Sequence, residues 1–331
     1  SAEAIISQLG IDIDGEAAYD NSGYSVSLSN DGTRVAIGSP NYDPPGMNDA
    51  GAVRVYQLDG TTWTQLGSDL YGVTDTDGFG ASVALSSDGT RVAIGAWRYD
   101  KPSSSNDGQV RLYDWNGTAW VQVGLAIDGA HSEDAFGWSV ALSIDGKRVA
   151  IGSPNYDPAG MNDAGAVRVY QLDGTTWTQL GSDIDGEAAN DYSGHSVSLS
   201  SDGFSIAIGA PNNDGAAGSK ADAGHVRVYK WDSANWTQVS ADIDGKVAGD
   251  LSGYSISLSS DGSRVAVGAP GNDTGHVQVY QKIGSTWTQI GADIKSASGS
   301  AGDLSGWSLA LSSDGTRVAI GSPNYDPPGM N

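Results

Sequence analysis

The sequence has no cysteine, which excludes disulfides and thiolate metal sites and leaves the compartment open. Basic residues are scarce, with 17 Lys and Arg against 40 Asp and Glu, a formal net charge of −23 at pH 7. Such a surface repels phosphate backbones and anionic lipid, so neither nucleic acid nor a membrane surface is an expected partner. No apolar run approaches the roughly 20 residues a bilayer-spanning helix needs, so membrane insertion is not expected. Nor is there a sustained apolar stripe at 3.6-residue spacing, which argues against a helical architecture. The opening, SAEAIISQLG, carries no signal-peptide pattern and reads as a processed or trimmed start.

What the chain does have is repetition. YSVSLSNDGTRVAIG (24–38) recurs in close variants at 81–95, 138–152, 195–209, 254–268 and 307–321. In each copy, apolar and small polar residues alternate, as Val26 and Leu28 do with Ser25 and Ser27. An Asp-Gly pair follows, and then a second apolar run. Period-2 alternation interrupted by Asp-Gly is the pattern of a β-hairpin. The Asp-Gly pairs stand at steps of 57, 57, 57, 59 and 53 residues. A second hairpin follows in the first five copies. In the first it is AVRVYQ (52–57), a Leu-Asp-Gly turn, and TTWTQLG (61–67). Each repeat therefore supplies four strands.

Four-stranded repeats without helices predict an all-β fold, a six-bladed β-propeller of four-stranded antiparallel blades. The whole chain, 1–331, reads as one propeller domain, with repeats near 11–67, 68–124, 125–181, 182–240, 241–291 and 292–331 plus 1–10. The sixth copy ends after its first hairpin, at SPNYDPPGMN (322–331), without a counterpart of AVRVYQ. Ile5–Gly10 matches the outer strand Thr62–Gly67 and is expected to close this incomplete blade. The missing third strand has three readings: an excerpt of a longer chain, a strand donated by another copy, or a blade left unfinished. An open edge invites self-assembly.

Alternating strands put the long loops, before strand one and after strand two, on one face. Two aspartates recur there, at Asp20 and at Asp43 and their counterparts, where carboxylates can accept backbone N–H bonds and hold turns. Calcium is the alternative for Asp12, Asp14 and Asp20, or Asp183, Asp185 and Asp191, at spacings that match no strict calcium loop. No other cofactor is expected. The residue opening each inner strand is Tyr24, Ala81, Trp138, His195, Tyr254 or Trp307. At a channel mouth, Tyr24, Trp138, His195, Tyr254 and Trp307 could stack on sugar faces; packing between blades is the competing use. The fourth-strand tryptophans, such as Trp63 and Trp120, read as core. The recurrent arginines after the hairpin turn, such as Arg34 and Arg91, are expected to pair with surface aspartates. His131, His195, His225 and His276 are spaced as no metal motif. No Ser-His-Asp order, P-loop or dinucleotide fingerprint appears in a fitting context. Asn116, Asn235 and Asn272 stand in N-glycosylation sequons.

Phe79-Gly80 leading into SVALS, and Gly209-Ala210-Pro211 or Gly268-Ala269-Pro270 after the second strand, resemble the FG-GAP repeat of integrin α-subunit propellers. Phe136-Gly137 with Gly152-Ser153-Pro154 is a close variant, and the other four copies carry Ser-Gly in place of Phe-Gly. The Asp-rich calcium loop found in that family between the first two strands is replaced here by the tight Asp-Gly turn, so that site does not carry over. The resemblance implies an extracellular or cell-surface recognition or adhesion module, without catalysis, whose partner is a protein or a glycan. The alternatives are a structural subunit of an extracellular polymer joined through the incomplete blade, and a carbohydrate-binding protein using the aromatic mouth.

Overall fold

The computed structural model describes residues 8–102, 104–215, 218–296 and 302–325. Its first blade sets the pattern: β1 (Ser25–Leu28), β2 (Arg34–Ser39), β3 (Ala52–Asp59), β4 (Thr62–Gln65) and β5 (Leu70–Tyr71). The hairpin between β1 and β2 is held locally. Asp31 Oδ1 accepts the Ser29 hydroxyl at 2.6 Å and the Thr33 amide at 2.9 Å, and Gly32 takes the positive φ of +71° that the turn requires. Leu28 then pairs with Val35, and Val26 with Ile37.

Five such antiparallel sheets follow one another, and the sixth unit is the two-stranded hairpin Ser308–Leu311 with Val318–Gly321. The arrangement is a β-propeller, with inner strands of successive units in contact. One detail departs from the four-strand expectation. The outer strand is split, and its second piece, β5, pairs with the start of β3 while β4 pairs with its end. The break falls at Gly67, whose φ of +83° sets the chain against the Trp115 and Trp120 rings of the next blade. The outer strand bends where its neighbour's tryptophans press on it.

The core lies between blades. Ala36, Val53 and Val55 of the first blade pack with Phe79, Leu85, Val92, Ile94 and Trp120 of the second, and equivalent clusters fill the next three junctions. Three fourth-strand tryptophans also reach back to the preceding blade, whereas Trp287 Nε1 in the fifth blade is buried without a hydrogen-bond partner. Trp120 Nε1 donates to Leu66 O at 2.8 Å, Trp177 to Val123 O at 3.0 Å and Trp236 to Leu180 O at 2.9 Å. At these three junctions one residue thus supplies both apolar area and a satisfied indole N–H.

The serine face of the inner strand binds the following blade. Ser25 Oγ donates to Gly80 O, Ser82 to Gly137 O, Ser139 to Gly194 O, Ser196 to Gly253 O and Ser255 to Gly306 O, all at 2.7–2.8 Å. This approach leaves no room for a side chain on the second strand. A Cβ at Gly95 would overlap both Gly137 O and Ser82 Oγ. The recurrent arginines differ from expectation. Of these post-turn arginines, among the described residues, only Arg91 pairs with an aspartate, Asp114, at 2.6 Å. Arg34, Arg91, Arg148 and Arg264 each donate Nη1 to a backbone carbonyl in the next blade's hairpin turn, at 2.7–3.0 Å, and so stitch blade to blade.

The ring has a seam between the sixth and first units. At the turn end, backbone bonds run from Asn30 N to Ser87 O and onward to Ser260 N and Ser313 O. The two ends meet there through Ser313 Oγ and Asn30 Oδ1 at 3.4 Å. Higher up, Tyr24, Val26 and Leu28 are 61%, 63% and 60% exposed, although their counterparts in the second to fifth blades are buried or half-buried. Of the expected closing strand Ile5–Gly10, residues 5–7 lie outside the described residues. Leu9 O accepts Trp63 Nε1 at 3.1 Å, the bond that outer strands make to the next blade elsewhere.

Candidate functional site at the channel mouth

The residues that open the inner strands come together as an arc of rings. Trp138 and His195 have centroids 5.6 Å apart, His195 and Tyr254 4.5 Å, and Tyr254 and Trp307 4.6 Å, all tilted at 42–49°. Tyr24 lies across the seam and stands more open than the others. The arc gains a member the sequence reading passed over. Trp97 packs edge-on to Trp138 at 5.1 Å, with the Arg98 guanidinium 4.4 Å over its ring. The signal was present: Ala96-Trp97 replaces the Ser-Pro or Ala-Pro that follows the second strand in the other five repeats. Trp97 comes from the repeat whose own mouth position is the small Ala81.

The arc is electrically quiet. Burial pushes the His195 imidazole below its ordinary value, against the opposing effect of the Tyr254 carbonyl 3.2 Å from Nδ1. The ring is neutral at neutral pH. Burial, and then the neighbouring Tyr24, push the Tyr254 phenol up to about 12. Uncharged rings of this kind can present apolar faces to a ligand and hydrogen-bonding edges to its hydroxyls. The opposite end of the axis carries a polar funnel of about 190 Å³ where the inner strands end, lined by Asn30, Ser87, Ser143, Ser201, Ser260 and Ser313 together with the leucines beside them.

The two aspartate series act as turn residues. Asp77 Oδ2 accepts Val73 N at 2.6 Å and Thr74 N at 3.0 Å; Asp20 accepts Ala17 N, and Asp250 accepts Lys246 N and Val247 N, each at 2.9 Å. Asp43, Asp100, Asp157 and Asp214 each accept an amide six to eight residues on. The structure does not bring the two candidate calcium sets together. Neither Asp12, Asp14 and Asp20 nor Asp183, Asp185 and Asp191 gathers ligand oxygens within 4.8 Å of one another. Asp12 is held by Gln8 at 2.8 Å, Asp183 is paired with Arg168 at 2.8 Å, and Asp191 accepts Ala188 N and Asn213 Nδ2 at 3.0 Å. The Asp12, Asp20, Asp183 and Asp191 carboxylates are thus held by separate partners. Of the sequon asparagines, Asn116 and Asn235 sit exposed in outer hairpin turns, and Asn272 is half-buried. Asn116 Oδ1 accepts the amides of Thr118 and Ala119 at 2.9 Å.

Comparison with known proteins bears on this geometry. Residues 120–170 match the FG-GAP repeat. That stretch runs from the outer strand of the second blade through Phe136-Gly137 and the whole inner hairpin of the third. Among curated proteins none matches. Among solved structures, the hydrazine synthase of Kuenenia stuttgartiensis is similar, with a TM-score of 0.59 at 13% identity, over 94% of this chain and 77% of that one. The periplasmic gluconolactonase of Pseudomonas aeruginosa gives a TM-score of 0.61 at 16% identity, over 91% of this chain and 78% of that one. At such identities the likeness is one of fold.

Proposed function

We propose that this propeller is a non-enzymatic recognition module, acting outside the cell or at its surface, that binds a glycan through the aromatic arc at its mouth. One observation carries the reading: Trp97, Trp138, His195, Tyr254 and Trp307 form an unbroken row across five blades, with Trp307 exposed at its end. Side chains needed only to separate blades have no reason to be aromatic at the mouth, since Ala81 serves in one of them. Sugar rings offer C–H faces to such a row, while Arg98 and the tyrosine hydroxyls offer polar contacts. A glycan array tests this, with Trp138→Ala and Trp307→Ala compared at matched thermal stability. Binding should weaken about 10-fold in each, the loss of one stacking contact. No binding, or binding that both variants retain, rejects the reading.

A second reading, self-assembly, is favoured by the sixth unit. Val318–Gly321 pairs on one side with Ser308–Leu311, and no third strand lies on its other edge among the described residues. Beside it Val279, Ile290, Ile294, Leu311 and Val318 line an apolar groove of about 280 Å³. An extended AVRVYQ-like strand from a second copy of the chain would satisfy both edge and groove.

A further inference from the structure

We propose that Glu187, His225 and Asp242 form a binding site for a divalent transition-metal ion of the Zn²⁺ class. The three come from separate elements at the junction of the third and fourth blades, so no sequence spacing announces them. Glu187 lies in the loop leading to the fourth blade, His225 opens that blade's third strand, and Asp242 precedes the short outer strand Ile243–Asp244. One ligand atom from each lies within 4.8 Å of the other two. A tetrahedral ion with bonds near 2.0–2.1 Å needs its ligands about 3.3 Å apart, so the exposed Glu187 must rotate inward and Asp242 must close on His225 from 4.0 Å.

His225 is the independent pointer. It is 1% exposed, yet neither ring nitrogen has a hydrogen-bond partner. Nδ1 faces Asp242 Oδ2 at 4.0 Å, beyond hydrogen-bond reach, and Nε2 is enclosed and unpartnered. A buried imidazole without a partner costs free energy, and a metal bond at Nδ1 relieves that at one nitrogen.

The fourth blade also departs from its siblings in the way the site needs. In the first and third blades an arginine neutralises the equivalent aspartate, Arg54 with Asp69 and Arg168 with Asp183, both at 2.8 Å. Arg227 instead turns to Asp185 O at 2.7 Å and to Glu187 at 3.3 Å. Asp242 is left with Gln238 on one oxygen, at 2.6 Å, and its other oxygen toward His225. The site opens on a cavity of about 300 Å³ whose wall includes Glu187, Asp191, Asp214, Asp242 and Asp244. This field attracts cations despite Arg227. Imidazole with carboxylates selects Zn²⁺ or its first-row neighbours over Ca²⁺, which prefers six to eight oxygens.

The test uses tag-free, chelator-treated full chain titrated with ZnCl₂ by calorimetry, and with Co²⁺ by visible absorption. One ion per chain is expected, with Co²⁺ bands reporting nitrogen and oxygen ligation. His225→Gln and Asp242→Ala should each weaken Zn²⁺ at least 10-fold. The second blade already carries Gln109 and Ala126 at these positions, so both replacements are compatible with the fold. His276→Gln, the same position in the fifth blade, should leave affinity unchanged. Absence of one-to-one Zn²⁺ binding overturns the proposal. So does binding that survives His225→Gln, or that Ca²⁺ matches in affinity.

Discussion

Replacing Gly95 with alanine tests the physical basis of blade packing, and replacing Gly321 supplies its control. Both glycines follow the same Arg-Val-Ala-Ile run, and neither needs a positive φ, so alanine strains neither backbone. Their surroundings differ. A Cβ at Gly95 would overlap Gly137 O and lie 3.0 Å from Gly137 C, which is backbone of the next blade and cannot rotate away. It would also displace the Ser82 hydroxyl from its 2.7 Å bond to that same carbonyl. At Gly321 the overlap is with the Ser308 hydroxyl, which can turn, and the nearest backbone atom is Ser308 O at 3.5 Å. Overpacking costs about 1–3 kcal/mol and the lost buried hydrogen bond about 1 kcal/mol. Gly95→Ala should therefore destabilise by about 2–4 kcal/mol and Gly321→Ala by less than about 1 kcal/mol. With an unfolding entropy near 2.1 cal/mol/K per residue, the first loss lowers the melting midpoint by roughly 3–6 °C if the chain melts as one unit. Calorimetry or denaturant titration reads the difference. Equal losses at the two sites would refute the reasoning, because the cost would then belong to the strand and not to its contact with the following blade.

The hairpin aspartates predict a site-resolved acid response. The Ser29 hydroxyl and the Thr33 amide hold Asp31 down at about 2, and Ser312 and Thr316 do the same for Asp314, from an ordinary value of 3.8. A folded value below the unfolded one gives stability that is present above about pH 4 and is lost as pH falls through about 2. Burial raises Asp191, with the opposite sign, so residue-resolved carboxyl NMR titration is the right measurement. Midpoints near 2 for Asp31 and Asp314 are expected, with Asp191 above 3.8; an ordinary midpoint for Asp31 would remove the turn bonds from the account. Self-assembly through the sixth unit predicts that mass by sedimentation rises with concentration. It also predicts that a proline within Val318–Gly321 abolishes the rise without unfolding the other blades. A strict monomer throughout rejects strand donation.

The sequence by itself determined the hairpins, their number and their strand order. Asp-Gly turns and Ser/Val/Leu alternation are local signals whose physics is complete within a few residues, and the fourth-strand tryptophans are a periodic one. The mouth series was legible for the same reason, since Tyr24, Trp138, His195, Tyr254 and Trp307 hold one register position. Trp97 was visible only as a break in the Ser-Pro rhythm. The tertiary structure alone decided which side chains meet across a junction. Val26 and Val140 occupy the same position on nearly the same strand, yet Val26 is open at the seam and Val140 packs against the core cluster that includes Leu112 and Val149. Arg34 and Arg148 follow turns of the kind that suggests aspartate pairs, but the next blade's carbonyl is the nearer acceptor. Glu187, His225 and Asp242 each hold a repeat position, but only the fourth blade carries all three, and no sequence spacing shows that they meet. Burial and charge compensation depend on what the neighbouring blade presents, and a repeat read alone does not contain its neighbour.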